Sequence, residues 1–135
     1  MDLNKTTRYA LRLMSYISSS EETSFTSASL HEKLEIPKQY LRRLLTRLSK
    51  KGLLISDKGR GKGFVLARDK EEIFLSEIIA ATDDTPLLLS CVLGFEKCLL
   101  VEKCPLHDRW CEAKEKILET FRTVSLADME IKLRL

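Results

Sequence analysis

Residues 37–51 place an apolar stripe and a set of basic side chains on opposite faces of one predicted helix. The stripe consists of Tyr40, Leu41, Leu44, Leu45 and Leu48. The opposite face carries Gln39, Arg42, Arg43, Thr46 and Lys50. Pro37 suits the first turn of a helix, and Gly52 suits the position just after its end. A chain with this segment must bury one side of the helix and present the other, positively charged side to solvent.

Two amphipathic segments precede this helix and provide a surface for its apolar stripe. Residues 4–19 carry apolar side chains at helical spacing, and a polar loop follows them. Thr26 or Ser27 is a suitable N-cap for a second helix that extends to about Leu34. The sequence therefore predicts three consecutive helices, with a tight turn at residues 35–37 before the third.

The basic helix is followed by two short apolar segments that flank a glycine-rich, basic turn. Residues 53–56 and 64–66 predict strands, and residues 57–63 between them alternate glycine with charged side chains. This pattern is typical of a β-hairpin with a cationic tip, because glycine allows the backbone conformations of a tight turn. Three helices followed by such a hairpin predict a mainly α (α+β) fold, the winged helix-turn-helix.

The predicted fold assigns the basic side chains to DNA. Glutamine pairs with adenine and arginine with guanine through two hydrogen bonds, which suits Gln39, Arg42 and Arg43 to base reading. The other cations of the helix suit phosphate contacts, and those of the hairpin can enter the minor groove. The predicted DNA-binding residues are Lys38, Gln39, Tyr40, Arg42, Arg43, Arg47, Lys50, Lys58, Arg60 and Lys62.

The charge distribution agrees with a polyanionic partner on one side of the molecule. Residues 1–68 hold 14 basic and 6 acidic side chains, whereas residues 69–135 hold 9 basic and 14 acidic ones. No apolar stretch approaches the roughly 20 residues of a membrane span, and charges interrupt the first residues where a signal peptide would be apolar. We therefore expect a cytoplasmic protein without membrane contact. The sequence has neither a phosphate-binding Gly-Lys-Ser/Thr loop nor a nucleophile elbow, so we do not expect an enzyme.

The cysteines of the chain are confined to one 21-residue stretch of its second half. They are Cys91, Cys98, Cys104 and Cys111. An oxidising compartment would allow two disulfides. In a cytoplasmic protein, clustered cysteines more often bind metal or respond to redox state.

A long amphipathic helix is predicted from Pro105 to Val124, followed by a final helix that Ser125 caps. Its single apolar stripe, which includes Trp110, is typical of a helix that packs against a partner helix. We therefore divide the chain into three parts. These are a DNA-binding domain (1–68), a connecting helix with a cysteine-rich loop (69–103), and a dimerisation helix with a C-terminal helix (104–135).

Along nearly its whole length the chain resembles the Rrf2 family of bacterial transcription regulators. The resemblance lies in residues 5–12, 36–52 and 59–67, in the run Cys104-Pro105-Leu106-His107-Asp108-Arg109-Trp110, and in residues 124–128. It implies a homodimer joined by the long helix and bound to a palindromic DNA site. It also implies an iron–sulfur cluster whose state controls DNA affinity, which the better-known members carry and some members lack.

The glycine-rich turn departs from the family pattern. The family favours Arg-Gly-Pro-Gly-Gly-Gly, whereas this chain reads Lys58-Gly59-Arg60-Gly61-Lys62-Gly63. The minor-groove contact usually credited to the arginine would fall to Lys58, with Arg60 as a substitute. The operator sequence of a characterised relative therefore does not transfer to this chain.

The family's cysteine pattern maps onto Cys91, Cys98 and Cys104, and thiolates are soft ligands suited to iron–sulfur clusters. Resemblance to members with a three-cysteine, one-histidine site favours His107 as the fourth ligand and [2Fe–2S] over [4Fe–4S]. The alternatives for the fourth ligand are Cys111, a water, a small ligand or a residue of the partner subunit. The alternatives to the cluster are no metal, or a zinc ion on the zinc-like spacing of Cys104 and His107.

Sequence and resemblance together predict a dimeric transcription regulator whose cluster senses redox state, nitric oxide or iron–sulfur status. The alternative is a clusterless regulator of the same family that a partner protein or small molecule controls. We further expect His31 to be a surface residue of the second helix, and Trp110 to be a core or dimer contact.

Overall fold

The structure is a computed structural model that describes residues 3–20, 25–56, 63–82, 91, 93–95 and 100–129. Its helices are α1 (Lys5–Ser19), α2 (Ser27–Leu34), α3 (Lys38–Lys50), α4 (Leu75–Thr82) and α5 (His107–Thr123), and its strands are β1 (Leu54–Ser56) and β2 (Phe64–Leu66). Single 3₁₀ turns lie at Lys70–Glu72 and Leu126–Asp128. The two strands pair antiparallel, with Ile55 opposite Val65. The described part is therefore mainly helical with a two-stranded hairpin after the third helix, as predicted.

The first three helices begin and end at residues whose chemistry explains the boundary. The Asn4 side chain accepts the Thr7 backbone N–H at 2.7 Å and so caps α1. Thr26 and Ser29 form a reciprocal capping box at the start of α2. Gly52 follows α3 with φ +77°, a left-handed conformation that costs glycine little. These caps fix the lengths of the helices that form the predicted DNA-binding domain.

One hydrophobic core joins α1, α2 and α3 to α4 and to the turn after α5. Its largest fully buried side chains are Leu13, Met14, Leu30, Ile36, Leu41, Leu44, Leu45, Leu48, Leu53, Leu54, Ile73 and Ile78. Each buried side chain of this size stabilises the fold by about 1.5–3 kcal/mol. The predicted division at residue 68 stays a prediction, and α4 and Leu126 share the core of the helices before it.

The hairpin is connected to the helical core at both of its strands. The Leu53 N–H bonds to the Leu48 carbonyl at 3.0 Å, which continues the end of α3 directly into β1. On the other strand, Phe64 exchanges two backbone hydrogen bonds with Phe25, at 3.1 and 2.7 Å. The hairpin base is therefore fixed relative to both α2 and α3.

α5 differs from the other helices because none of its residues is buried. It is held at its C-terminal end, where Phe121 and Val124 pack against the core and the Val124 carbonyl accepts the Leu75 N–H at 3.0 Å. At the other end Leu106 is 47% exposed. A helix with an unburied apolar stripe agrees with the predicted packing against a partner helix.

Several predicted boundaries differ from the structure. The helix predicted from Pro105 to Val124 extends from His107 to Thr123, because Pro105 and Leu106 lie in a turn closed by the His107 N–H on the Cys104 carbonyl. Leu53 was predicted to be in the first strand, but its N–H is used by α3, so β1 begins at Leu54. A final helix was predicted from Ser125, and the structure has a single 3₁₀ turn there, with Ser125 as its cap. The Met129 carbonyl accepts the Ser19 hydroxyl at 3.2 Å, and residues beyond 129 lie outside the described part. Within the described residues, no helix is long and apolar enough to span a membrane.

Candidate nucleic-acid interface and cysteine segment

α3 presents its basic side chains around one shallow surface groove. Its four leucines are each at most 2% exposed, so the rotation of the helix about its axis is fixed by the core. The groove is lined by Arg42, Arg43, Thr46, Arg47 and Lys50. Lys38 and Gln39 are exposed in the first turn of the same helix. Because none of the lining side chains is acidic, the groove attracts a polyanion along its whole length.

Tyr40 connects the first turn of α3 to α1. Its hydroxyl is hydrogen-bonded to the Thr6 hydroxyl, and its ring packs edge-on against Tyr9 with centroids 5.3 Å apart. Tyr40 and Thr6 also line a pocket of about 200 Å³ together with Arg43, Leu44 and Arg47. The ring of Tyr40 therefore packs against the core, as its place on the apolar stripe predicted. Tyr40 also lines the same pocket as Arg43 and Arg47, two of the predicted DNA-binding residues.

The turn between α2 and α3 is held by a histidine. Glu35 adopts a left-handed conformation at φ 56°, and Ile36 is completely buried. The ring Nδ1 of His31 donates to the Ile36 carbonyl at 2.5 Å, so the side chain of α2 bonds directly to the backbone of the turn. His31 is exposed, as predicted, and its ring connects α2 to the turn that precedes α3.

The tip of the hairpin lies outside the described residues. Lys58, Arg60 and Lys62 therefore remain predicted DNA contacts. The described part of the hairpin ends at Ser56 and Gly63, next to the pairing of Ser56 with Phe64.

Two neighbouring threonines of α1 contact two different parts of the molecule. The hydroxyls of Thr7 and Thr82 are hydrogen-bonded at 3.0 Å, and both residues are buried. Thr82 is the last residue of α4, and the chain continues from it toward Cys91. Thr6, one residue before Thr7, is the residue that bonds to Tyr40. α1 therefore connects the end of α4 to α3 through two adjacent side chains, Thr7 and Thr6.

Cys91 is surrounded by groups that favour its thiolate. The Leu93 N–H points at the Cys91 Sγ, 3.4 Å away, and lowers the pKa of this thiol most strongly. The Phe95 N–H lowers the pKa further, and partial burial opposes it. Weaker contributions in the lowering direction come from Gly94 and from the charge of Lys114 on α5. A thiol with these neighbours is a suitable soft metal ligand.

The other described cysteines lie at the start of α5. The Cys104 carbonyl accepts the His107 N–H at 3.0 Å, and the His107 Nε2 lies 3.8 Å from the Cys111 Sγ. Cys98 lies outside the described residues. Within the part of the chain that the structure describes, no group of three His, Cys, Asp or Glu side chains is close enough to hold a metal ion. The structure therefore brings His107 together with Cys111, and it does not bring Cys91, Cys104 and His107 together.

The basic recognition helix and its hairpin have a counterpart in known regulators. The model of the Rrf2 family, described as iron-dependent transcriptional regulators, matches residues 3–130. The chain belongs to the Rrf2 family. Among its relatives is the HTH-type transcriptional regulator IscR of Xenorhabdus nematophila, which is 33% identical over 130 residues, covering 96% of this chain and 79% of the relative. IscR of Serratia proteamaculans is 32% identical with the same coverage.

Solved structures show the same fold. The global cysteine regulator CymR of B. subtilis has a TM-score of 0.80 at 21% identity, covering 96% of each chain. T. potens IscR has a TM-score of 0.75 at 24% identity, covering 96% of this chain and 85% of the other. The winged helix-turn-helix prediction is thereby confirmed. The Rrf2 chain described here is a transcription regulator and not an enzyme.

Sequence reasoning missed the residues that hold the interface in place. Thr7 was noted only within the family's opening motif and Tyr9 only there and on the apolar side of the first helix, and their contacts with Thr82 and Tyr40 were not predicted. His31 was predicted only to be a surface residue, and its bond to Ile36 is new. The sequence offered one indication of these contacts. A polar residue on the buried face of an amphipathic helix needs a hydrogen-bond partner, and Thr7 occupies such a position.

Proposed function

We propose that this Rrf2 regulator is a homodimer that binds a palindromic DNA site in the cytoplasm and changes its DNA affinity with the state of an iron–sulfur cluster. The observation that carries the DNA part is the groove on α3, whose lining is free of acidic side chains. Two copies joined through α5 would present two such grooves, which suits an operator with two half-sites.

The donor set supports the cluster part. Cys91, Cys98, Cys104 and His107 supply three thiols and one imidazole, a soft set that suits a [2Fe–2S] cluster better than a hard cation. The N–H groups that lower the pKa of Cys91 would stabilise a bound thiolate. When bound, the cluster would supply a change of charge and of ligation that depends on oxidants, nitric oxide or iron supply.

α1 provides a route from the cysteine segment to the groove. Residues 83–90 connect Thr82 to Cys91, so a rearrangement of the cysteine segment acts on Thr82 first. Thr82 is bonded to Thr7, and the neighbouring Thr6 is bonded to Tyr40 in the first turn of α3. In this proposal a change at the cysteines would alter the orientation of Gln39 and Arg43 through these two hydrogen bonds.

The test is anaerobic purification, with iron and sulfide counts, an ultraviolet–visible spectrum, and DNA binding before and after cluster removal. We expect stoichiometric iron and sulfide and a change in DNA affinity on removal. Cys104→Ala should lose the iron, and Cys111→Ser is the matched control that removes a thiol outside the proposed ligand set. A chain without iron and sulfide, or with unchanged affinity after cluster removal, would contradict cluster control and favour a regulator controlled by a partner protein or small molecule.

A further inference from the structure

His107 and Cys111 lie on successive turns of α5 with their reactive atoms facing each other. The His107 Nε2 and the Cys111 Sγ are 3.8 Å apart, and both side chains are exposed. Residues four apart share one face of a helix, so the backbone holds the pair together without help from a loop. Cys111 has no place in the family's cysteine pattern, and the function proposed above does not use it.

The spacing of the two atoms fits one tetrahedral metal ion. Zinc binds thiolate sulfur at about 2.3 Å and imidazole nitrogen at about 2.0–2.1 Å. A tetrahedral angle between such bonds places sulfur and nitrogen about 3.6 Å apart. The observed 3.8 Å is close to this value before any side-chain adjustment. The pair is therefore preorganised for a metal that prefers sulfur and nitrogen ligands.

The surroundings leave the remaining positions of such an ion open. Asp108 is paired with Lys103 at 2.8 Å, so its carboxylate is directed away from the pair. Among the described residues no third His, Cys, Asp or Glu completes a site with these two. Two waters would complete a tetrahedral set, one more than open zinc sites with three protein ligands hold, and the thiol proton would be released to solvent on binding.

We infer that His107 and Cys111 form a binding site for a single thiophilic divalent cation, of the zinc and cadmium type, in the chain that carries no cluster. The inference does not depend on the proposed function. If both are correct, the two metals exclude each other, because the cluster and the cation would both need His107. The pair would then be occupied in the apo regulator and vacated when the cluster binds.

The test uses Cd²⁺, whose thiolate complexes absorb in the ultraviolet, on the full-length chain under reducing, anaerobic conditions. The background variant Cys91→Ser/Cys98→Ser/Cys104→Ser leaves Cys111 as its only thiol. We expect one Cd²⁺ per chain with thiolate absorption. His107→Gln and Cys111→Ser should each weaken binding at least about tenfold, as expected for loss of a ligand.

A variant with the thiol moved by one residue distinguishes metal binding by the His107–Cys111 pair from metal binding by the thiol alone. Cys111→Ser/Glu112→Cys keeps the composition of the site but turns the thiol about 100° around the helix, away from His107. Equal Cd²⁺ affinity in this variant, or in His107→Gln, would overturn the inference. If circular dichroism shows that the triple-serine variant is unfolded, a second experiment takes the place of the Cd²⁺ titration. It measures how far Zn²⁺ protects Cys111 against alkylation in the wild-type apo chain. Protection that is lost in His107→Gln supports the site, and protection that persists there overturns it.

Discussion

The hydroxyls of Thr7 and Thr82 are hydrogen-bonded at 3.0 Å inside the core, between the first helix and the last residue of α4. Thr82 also donates to the Ile78 carbonyl at 2.9 Å, so it keeps a partner when Thr7 is changed. Thr7→Val keeps the shape of the side chain and removes the bond. We expect the free energy of unfolding to fall by about 0.5–1.5 kcal/mol, measured by urea denaturation.

The same variant tests the proposed route to DNA. If α1 transmits the state of the cysteine segment, Thr7→Val should reduce the difference in DNA affinity between cluster-loaded and apo protein. Ser15→Ala is the matched control, since the Ser15 hydroxyl is buried on the same helix and has no partner among the described residues. It should raise stability by about 0.5 kcal/mol and leave that difference intact. An unchanged difference in Thr7→Val would contradict the route.

Tyr40 and Thr6 provide a test of positioning against direct DNA contact. Tyr40→Phe keeps the ring contact with Tyr9 and removes the hydroxyl that bonds to Thr6. If Tyr40 acts by orienting α3, Tyr40→Phe and Thr6→Val should weaken DNA binding alike, and the double variant should be no weaker than either. If Tyr40→Phe weakens DNA binding and Thr6→Val does not, the tyrosine hydroxyl acts on DNA directly. DNA titrations of a double-mutant cycle measure this.

The two kinds of cation on α3 should give different binding signatures. Arg42→Ala should cost about 1–3 kcal/mol and relax the preference at one base pair, because a base-reading contact is lost. Lys50→Ala should weaken binding to all sequences and reduce the slope of log affinity against log salt by about one. Lys116→Ala, an exposed cation on α5, is the control and should change neither. Equal losses on specific and random DNA in Arg42→Ala would contradict a reading role.

Glu77 should contribute an acid-sensitive part of the stability. Partial burial raises its pKa, but the Phe74 N–H at 3.0 Å and the Arg68 guanidinium at 2.7 Å outweigh this and bring it below the ordinary value of 4.5. Because the folded pKa is the lower one, the contribution is complete above pH 4.5 and is lost as pH falls through the folded value. Glu77→Gln should therefore destabilise the protein at neutral pH and show a smaller loss of stability on acidification. Urea unfolding across this pH range measures both, and parallel curves would contradict the assignment.

The exposed stripe of α5 should make stability depend on concentration. If two chains pair through α5 as proposed, mass action stabilises the folded dimer, and the thermal midpoint should rise with protein concentration. Ile117→Glu places a charge in the stripe and should give a monomer whose midpoint is independent of concentration. Lys116→Glu changes the charge by two units rather than one, at the neighbouring position outside the stripe, and should stay dimeric. Sedimentation velocity decides between the two, and a dimeric Ile117→Glu would place the interface elsewhere.

The helices could be predicted because each boundary has a local chemical cause. The stripe from Leu41 to Leu48 and the stop at Gly52 are both visible in the sequence and both present in the fold. The final helix was wrong because the backbone after the Ser125 cap closes a single 3₁₀ turn, in which the Met129 N–H bonds to the Leu126 carbonyl. The boundary at Leu53 was wrong for a similar reason, since its N–H is taken by the preceding helix.

The candidate sites divide in the same way. Rotation about a helix axis follows from residue spacing, so the exposed face of α3 was predictable from the leucines alone. The same rule places His107 and Cys111, four residues apart, on one face of α5, whereas Cys104 lies before the helix begins. It could not decide which neighbours meet, and the structure pairs His107 with Cys111 rather than with Cys104. Contacts between helices, such as Thr6 with Tyr40, depend on tertiary packing that a single sequence does not encode locally.

α5 is anchored near its C-terminal end, where Phe121 and Val124 pack against the core, so a rotation about that end displaces the start of the helix most. Its 17 residues span about 25 Å at 1.5 Å per residue. A tilt of about 5° at the fixed end displaces the far end by about 2 Å, more than the tolerance of a metal–ligand bond. The ligands near His107 would therefore register small tilts of α5, and a rigid DNA site that sets the spacing of two domains would bias how firmly the metal is held.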